Sequence, residues 1–138
     1  MQIEFAVEGR AVPQGSHTVM RGRLIQVNSA KHKAWRRQLL LAAVAARPPD
    51  WDSSTAKVVE AVFGFKRPKS HLTKAGGLRK GAPEQMRMRP DLDKLARSVG
   101  DALTDALVVN DDSQITRWVL EKMFHSEDFA LVTVRDWT

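Results

Sequence analysis

The sequence predicts a mixed α/β (α+β) fold, a single domain over residues 1–138 in which a mixed β-sheet packs against about two main helices. Three observations lead there. Apolar residues alternate at period two in some stretches and recur at helical spacing in others. The element order reads β, hairpin, α, β, a basic arm, α, β, β, with no internal repeat. Hydrophobic residues make up 43% and charged residues 28% of the chain, which supplies a core and argues against wholesale disorder.

Each element has its own signal. Ile3, Phe5 and Val7 alternate with Gln2, Glu4 and Glu8, the pattern of a half-buried strand, which Gly9 and Pro13-Gln14-Gly15 break. Short strands near His17–Met20 and Leu24–Val27 pair across Arg21-Gly22-Arg23, where glycine supplies the turn. Asn28-Ser29 can cap a first helix, in which Trp35, Leu39, Ala42, Ala43 and Ala46 recur until Pro48-Pro49 end it. Its second half is apolar nearly all round, so it is either sandwiched within its own domain or buried against a second subunit.

Residues 57–65 read as a central strand, apolar on both faces. Between Lys66 and Arg89 there are eight Lys or Arg, one acid (Glu84), three Gly and two Pro. This stretch, about 66–90, is a basic loop or disordered arm, long enough to be either functional or dispensable. A second helix follows Asp91-Leu92-Asp93, with Leu95, Val99, Ala102, Leu103 and Ala106 on its apolar face and Lys94, Arg97, Ser98, Asp101 and Asp105 opposite. After a turn at Val108-Val109-Asn110-Asp111-Asp112, strands near Ile115–Phe124 and Phe129–Val134 form a hairpin across His125-Ser126-Glu127-Asp128.

Several functions are excluded early. There is no Cys, hence no disulfide, zinc-cysteine site or thiol nucleophile. No apolar run approaches the roughly 20 residues of a membrane helix, and Met1 leads into a charged segment, so a soluble cytoplasmic protein with no membrane partner is expected. There is no Walker-type loop or dinucleotide fingerprint, and no small-molecule cofactor is expected. His17, His32, His71 and His125 show no ligand spacing, and Trp35 and Trp118 fit core positions while Trp51 and Trp137 stay open.

Charge is the informative property. Residues 1–90 carry 17 basic and 6 acidic groups, a net of +11, whereas residues 91–138 carry 5 and 10, a net of −5. Six of the 16 acids lie between Asp91 and Asp112. A basic body suggests a polyanionic partner. A concentrated acidic segment within it suits a metal-dependent enzyme acting on a polyphosphate, and chance surface patterning also produces such a segment.

Two acidic pairs could hold that metal. In an extended Arg89-Pro90-Asp91-Leu92-Asp93, residues two apart face the same way, so Asp91 and Asp93 present both carboxylates to one side. Helix capping accounts well for one Asp and less well for two. Asp111-Asp112 is an ordinary turn pair taken alone and a third and fourth ligand when joined to the first. Oxygen ligands without His or Cys suit Mg²⁺, with Mn²⁺ a possible substitute. A helix from about Lys94 to Ala106 rises about 18 Å. The residues from Ala106 to Asp112 can return about 20 Å when extended, so closure within one chain is feasible but tight. A longer straight helix would require Asp112 to serve another subunit's site, or none. Lys94 and Arg97 are either a solvated face, with Arg97 and Asp101 as an i,i+4 pair, or phosphate-stabilising groups.

Taken together, Arg89-Pro90-Asp91-Leu92-Asp93-Lys94-Leu95, then Asp101-Ala102-Leu103, then Asn110-Asp111-Asp112-Ser113-Gln114-Ile115 resemble the RusA family of Holliday junction resolvases. Arg67-Pro68-Lys69-Ser70-His71 resembles its phage and prophage members. The specific part covers roughly residues 87–124; the N-terminal half agrees only in general pattern.

The resemblance implies a RusA-like fold and a homodimeric, Mg²⁺-dependent endonuclease of the bacterial cytoplasm, encoded by host or phage, that nicks paired strands at four-way DNA. It implies that Asp91, Asp93 and Asp112 are the essential carboxylates, with Asp111 a lesser neighbour. The family's helix lysine falls on Arg97, and its usual Asn after the second Asp is Lys94 here. Both changes keep positive charge and alter its geometry. Lys66, Arg67, Lys69, Lys74, Arg79, Lys80, Arg87 and Arg89 of the arm, with Lys33, Arg36 and Arg37 of the first helix, are expected to track the DNA backbone. The alternatives are a non-catalytic DNA- or RNA-binding protein and a nuclease preferring flaps or other branches.

Overall fold

Strand β1 (Gln2–Glu8) buries Ile3, Phe5 and Val7 and exposes the residues between them, as its alternation dictates. The computed structural model describes residues 1–14, 17–20, 22–26 and 29–138, with backbone alone for 17–20, 23–26 and Ser29. Strands β2 (His17–Met20) and β3 (Arg23–Gln26) pair antiparallel as a separate ribbon. The expected strand end at Val27 and cap at Asn28 lie outside the described residues. Helix α1 (Ser29–Ala46), strand β4 (Lys57–Phe65), helix α2 (Leu92–Asp105) and strands β5 (Ile115–Phe124) and β6 (Phe129–Asp136) complete the chain. No helix among the described residues is long and apolar enough to cross a membrane.

The four-stranded sheet has the order β1-β6-β4-β5, with β5 parallel to β4 and the other pairings antiparallel. This corrects the hairpin expected of β5 and β6, because β4 lies between them. Apart from Glu60 and the half-buried Val62, β4 is buried along its whole length, so it takes the centre and needs a neighbour on each side. The link from β5 to β6 therefore crosses the end of β4, where the His125 amide donates to the Phe65 carbonyl (2.8 Å) and the Lys66 amide to Asp128 Oδ1 (2.8 Å). Gly64 permits the crossing: a Cβ there would lie 2.0 Å from the ring of Phe129.

Register turns alternation into rows across the sheet. Ile3, Val134, Val59 and Trp118 form one; Phe5, Val132, Ala61 and Leu120 the next; Val7, Ala130, Phe63 and Lys122 the third. Trp35, Leu39 and Ala43 of α1 and Leu95, Val99 and Leu103 of α2 join these rows in one core. Each fully buried large side chain contributes about 1.5–3 kcal/mol. The apolar second half of α1 divides, with Leu39 and Ala43 buried and Leu41 and Val44 exposed.

The arm is a folded loop rather than a disordered one. A short 3₁₀ turn spans Lys69–His71, and Leu72 bridges to Leu78. Arg67 lies 4.3 Å over the Phe124 ring and donates to the Pro83 carbonyl (2.7 Å), while Arg79 Nε donates to the Leu72 carbonyl (2.8 Å). At the opposite end of β4, Lys57 is fully buried, donating to the Asp52 carbonyl (2.6 Å), Thr55 Oγ1 and Asp136 Oδ1 and lying 4.4 Å over the Trp51 ring. The Lys57 ammonium, followed by Thr55, holds the Asp136 carboxyl down to about 2. Trp51 is itself buried, its Nε1 donating to the Val108 carbonyl (2.8 Å), whereas Trp137 is exposed.

Candidate active site and nucleic-acid interface

Asp91 and Asp93 sit where the arm meets α2. The Arg89–Pro90 peptide is cis, and Lys122 Nζ, from the edge strand β5, donates to the carbonyls of Met88 (2.6 Å) and Pro90 (3.0 Å). That ammonium fixes the backbone entering Asp91. Asp91 occupies the N-cap position with extended backbone (φ −76°, ψ 140°), yet its side chain makes no capping bond. Asp93 lies in the first turn, and both residues are exposed. Among the described residues neither carboxylate has a hydrogen bond or ion pair. Capping therefore does not account for either of them.

The second pair divides into two roles. Asp111 Oδ1 accepts from the Ser113 amide (3.0 Å), and Gln114 Oε1 accepts from the amides of Asn110 (2.8 Å) and Asp111 (2.9 Å), a reciprocal capping box. Asp111 is the turn residue, held below its ordinary carboxyl value first by that Ser113 amide. Asp112 is pushed up, chiefly by the Asp111 carboxylate beside it, then by burial and the charges of Asp111 and Asp101.

The structure does not bring the two pairs together in one protomer. Asp93, Arg97 and Gly100 follow at i, i+4 and i+7 on one face of α2. A Cβ on Gly100 would lie 3.7 Å from that of Asp112 and 3.6 Å from the Trp118 ring. Along α2, Asp91 and Gly100 are about 13 Å apart at 1.5 Å per residue. The extended return from Ala106 is not made. Leu107 instead takes a left-handed conformation (φ 58°), Val108 N donates to the Leu103 carbonyl (2.9 Å), and the chain turns beside the second half of α2. Among the described residues no three His, Asp or Glu come close enough to hold a metal ion.

Asp112 lines a hollow with Arg36, Asp101, Thr104, Asp105, Asn110 and Asp111. Arg36 there donates to Asp105 Oδ2 through Nη2 (2.6 Å) and Nε (3.1 Å) and lies 3.7 Å from Asp101. The acids at Asp101 and Asp105 thus face α1 rather than solvent alone. Asp101 makes its ion pair with Arg36, and Arg97 is exposed with no ion pair among the described residues. His32 is buried beside them with Nε2 unpartnered; burial, then the Arg36 charge, lower its pKa.

The expected DNA-tracking cations also sort into two groups. Arg36 is held by Asp105, Arg67 by Pro83 and Phe124, and Arg79 by Leu72, so these three brace the fold. Lys66 stands 3.8 Å from the exposed Glu127. Lys69, Lys74, Lys80, Arg87 and Arg89 in the arm, with Lys33 and Arg37 on α1, are exposed and have no protein partner among the described residues. Lys94 is half-buried, its carbonyl accepting from the Gln14 amide (3.1 Å).

Sequence reasoning missed Lys122, Phe124, His125 and Ser126 as site-forming residues. Lys122 left a readable trace, because it interrupts Trp118, Leu120 and Phe124 at an inward register position. His125 and Ser126 left none, since their place depends on the crossing over β4.

The donor chemistry fits a divalent metal. Only Asp91 is extended, since α2 begins at Leu92, so the extended alternation expected to align the two Asp residues is not made. Both are nonetheless exposed, unengaged carboxylates at the helix entrance, and Mg²⁺ is commonly held by one or two carboxylates with water and substrate phosphate supplying the rest. No curated protein sequence matches the chain. A family model described as endodeoxyribonuclease RusA, however, matches residues 8–135 of the 138. The match runs through the arm, both acidic motifs, four of the six strands in full and all but the last residue of β6, well beyond the segment that carried the resemblance. The family implies an endonuclease acting on Holliday junctions, which are branched DNA, generally with a divalent metal. With a family match over nearly its whole length, this chain belongs to the RusA family of endodeoxyribonucleases.

Proposed function

We propose that this protein is a Mg²⁺-dependent homodimer that resolves four-way DNA junctions by paired nicks, with Asp91 and Asp93 at the cutting centre. The observation that carries the reading is that both carboxylates stand unengaged at the helix entrance, next to an arm of unengaged cations.

Asp91 and Asp93 would hold the metal, and when bound it supplies an activated water and offsets charge on the leaving oxygen. Lys122 fixes the peptides before Asp91, so the carboxylates are presented without reorganisation. Arg97, on the Asp93 face of α2, offers its guanidinium to the phosphate, and Lys94 adds positive charge at the helix entrance. Asp112 would reach this centre from a second copy of the chain, because within one protomer it packs beside Gly100, about 13 Å along α2 from Asp91. A two-fold dimer would exchange Asp112 reciprocally, with Asp111 fixing the turn that presents it, and would offer two sites to two symmetric strands. Domain organisation follows the same reading: one catalytic domain over 1–138, with the arm at 66–90 as its DNA-facing loop.

Cleavage of four-way, three-way, flap and linear duplexes with Mg²⁺ tests the proposal. Symmetric paired nicks confined to the four-way substrate are expected. Binding without nicking in either Mg²⁺ or Mn²⁺ would reject the enzyme reading in favour of a non-catalytic binder. Preferential flap cutting would reject junction resolution.

A further inference from the structure

A pocket opens at the crossing of the β5–β6 link over β4, lined by Lys66, Arg67, Leu72, Phe124, His125 and Ser126. Its chemistry is two-sided. Leu72 and Phe124 make an apolar floor, and the rim carries four hydrogen-bond donors.

Two of the donors, on Arg67 and His125, are held before any ligand arrives, while the exposed Lys66 ammonium stands 3.8 Å from Glu127. Arg67 is stacked on Phe124 and anchored through Nη1 to Pro83, which leaves Nε and Nη2 without a protein partner. His125 Nδ1 is engaged by Glu127, 3.1 Å from its amide and 3.2 Å from its carbonyl, which fixes the ring and leaves Nε2 without a partner among the described residues. The Ser126 hydroxyl has no partner among the described residues. An apolar floor with a fixed guanidinium, an imidazole N–H, a hydroxyl and an ammonium matches one nucleotide: phosphate on the rim, sugar and base on the floor.

The position adds to this. Phe124 also lines a neighbouring hollow with His71, Pro83, Arg87 and Met88, and the Met88 carbonyl is tied to Lys122 just before Asp91. The pocket and the two carboxylates therefore stand at the same end of the sheet, joined by one wall.

We infer that this pocket binds a single unstacked nucleotide of the DNA strand on its way to Asp91 and Asp93. A base inside an intact duplex must give up pairing and stacking on both sides to enter, whereas a base at an open branch point has a neighbour on one side only and gives up less, so the pocket favours branched over linear DNA. The inference rests on the nuclease reading for its substrate. Binding in the pocket itself needs no metal.

The test is a ¹H–¹⁵N NMR titration of the whole protein in EDTA with the dinucleotide pTpT, with inorganic phosphate and thymidine as separate arms. Saturable shifts at Leu72, His125 and Ser126 are expected with pTpT at concentrations where phosphate or thymidine alone gives less than a third of the effect. Ser126→Glu, which places a carboxylate on the rim, is expected to abolish those shifts and weaken four-way junction binding in EDTA about tenfold. Absence of pocket shifts with pTpT, or equal shifts with inorganic phosphate, would overturn the inference. Junction cleavage measured separately in Mg²⁺ keeps the two readings apart. Nicking without pocket binding rejects the pocket alone, and pocket binding without nicking rejects the nuclease assignment alone.

Discussion

The two ends of the sheet handle charge in opposite ways. Around Lys57, a fully buried ammonium is satisfied by a carbonyl, a hydroxyl, a carboxylate and an aromatic face. Around Asp91 and Asp93, the two carboxylates and the cations of Arg87, Arg89 and Arg97 have no partners among the described residues. Buried unpaired charge is costly, so the first arrangement is what folding demands. Exposed unpaired charge adds little to folding, so the second is available to a ligand. Charge that is engaged holds the fold, and charge that is not engaged is where the cutting centre is proposed.

The sharpest way to break this comparison is to remove one charge at each end. Asp93→Asn is expected to lower junction cleavage by at least about a thousandfold, since metal-held charge stabilisation amounts to several kcal/mol. Its thermal stability should change by less than about 0.5 kcal/mol, because the side chain has no protein partner. Junction binding in EDTA should persist. Wild-type cleavage in this variant would remove Asp93 from the proposed site.

Asp136→Ala should do the reverse. It strands the buried Lys57 ammonium and is expected to cost about 3 kcal/mol by urea denaturation, with specific activity of the folded fraction intact. Lys57→Met, which removes the charge and fills the space, should cost less than half as much. The native protein carries the same signature in its pH dependence. The Asp136 carboxyl is lowered to about 2 from 3.8, so the stability it contributes is present above about pH 4 and is lost as pH falls toward 2. That contribution is at most about 2.4 kcal/mol, and the 30% exposure of the side chain reduces it.

Salt titration sharpens the division among the cations. Changing Lys69, Lys74, Lys80 and Arg87 together to Gln should reduce the slope of log Kd against log salt by up to about 3.6, at about 0.9 for each phosphate contact. Arg36→Gln should leave the slope unchanged and lower stability by about 1 kcal/mol, because its guanidinium is held by Asp105. A reduced slope for Arg36→Gln would return that residue to the DNA interface. Its neighbour His32 is a smaller test. Burial lowers its pKa, so the unfolded chain binds the proton more readily and stability should fall as pH drops below about 6.5. His32→Leu should flatten that slope.

How far the sequence reached depends on where each signal lies. Ile3, Phe5 and Val7 made β1 legible, and the apolar face from Leu95 to Leu103 made α2 legible, because period and burial coincide there. Strand order was not legible: β5 and β6 are separated by four residues, and only the burial of β4 on both sides forces them apart. Likewise Asp91 and Asp93 could be read as a pair from adjacency alone. The position of Asp112 depends on how the chain turns after Ala106, and a single left-handed residue, Leu107, decides it.

That residue supplies the smallest expected effect. Leu107 follows the C-terminus of α2 with φ 58° and its side chain 54% exposed. Its amide donates to the Thr104 carbonyl (3.1 Å), and its carbonyl accepts from Ser53 Oγ. A glycine is favoured at such a position because a Cβ crowds the left-handed conformation, at about 1–2 kcal/mol. Glycine also loses more chain entropy on folding, which offsets about 0.5–1 kcal/mol of that gain. Leu107→Gly should therefore stabilise the protein by about 0.5 kcal/mol by urea denaturation while leaving the turn, and hence the place of Asp112, unchanged. If the same variant instead weakens self-association or cleavage, the exposed leucine belongs to the contact that carries Asp112 to a second copy. The strain at Leu107 would then be explained by assembly rather than by the fold of one chain.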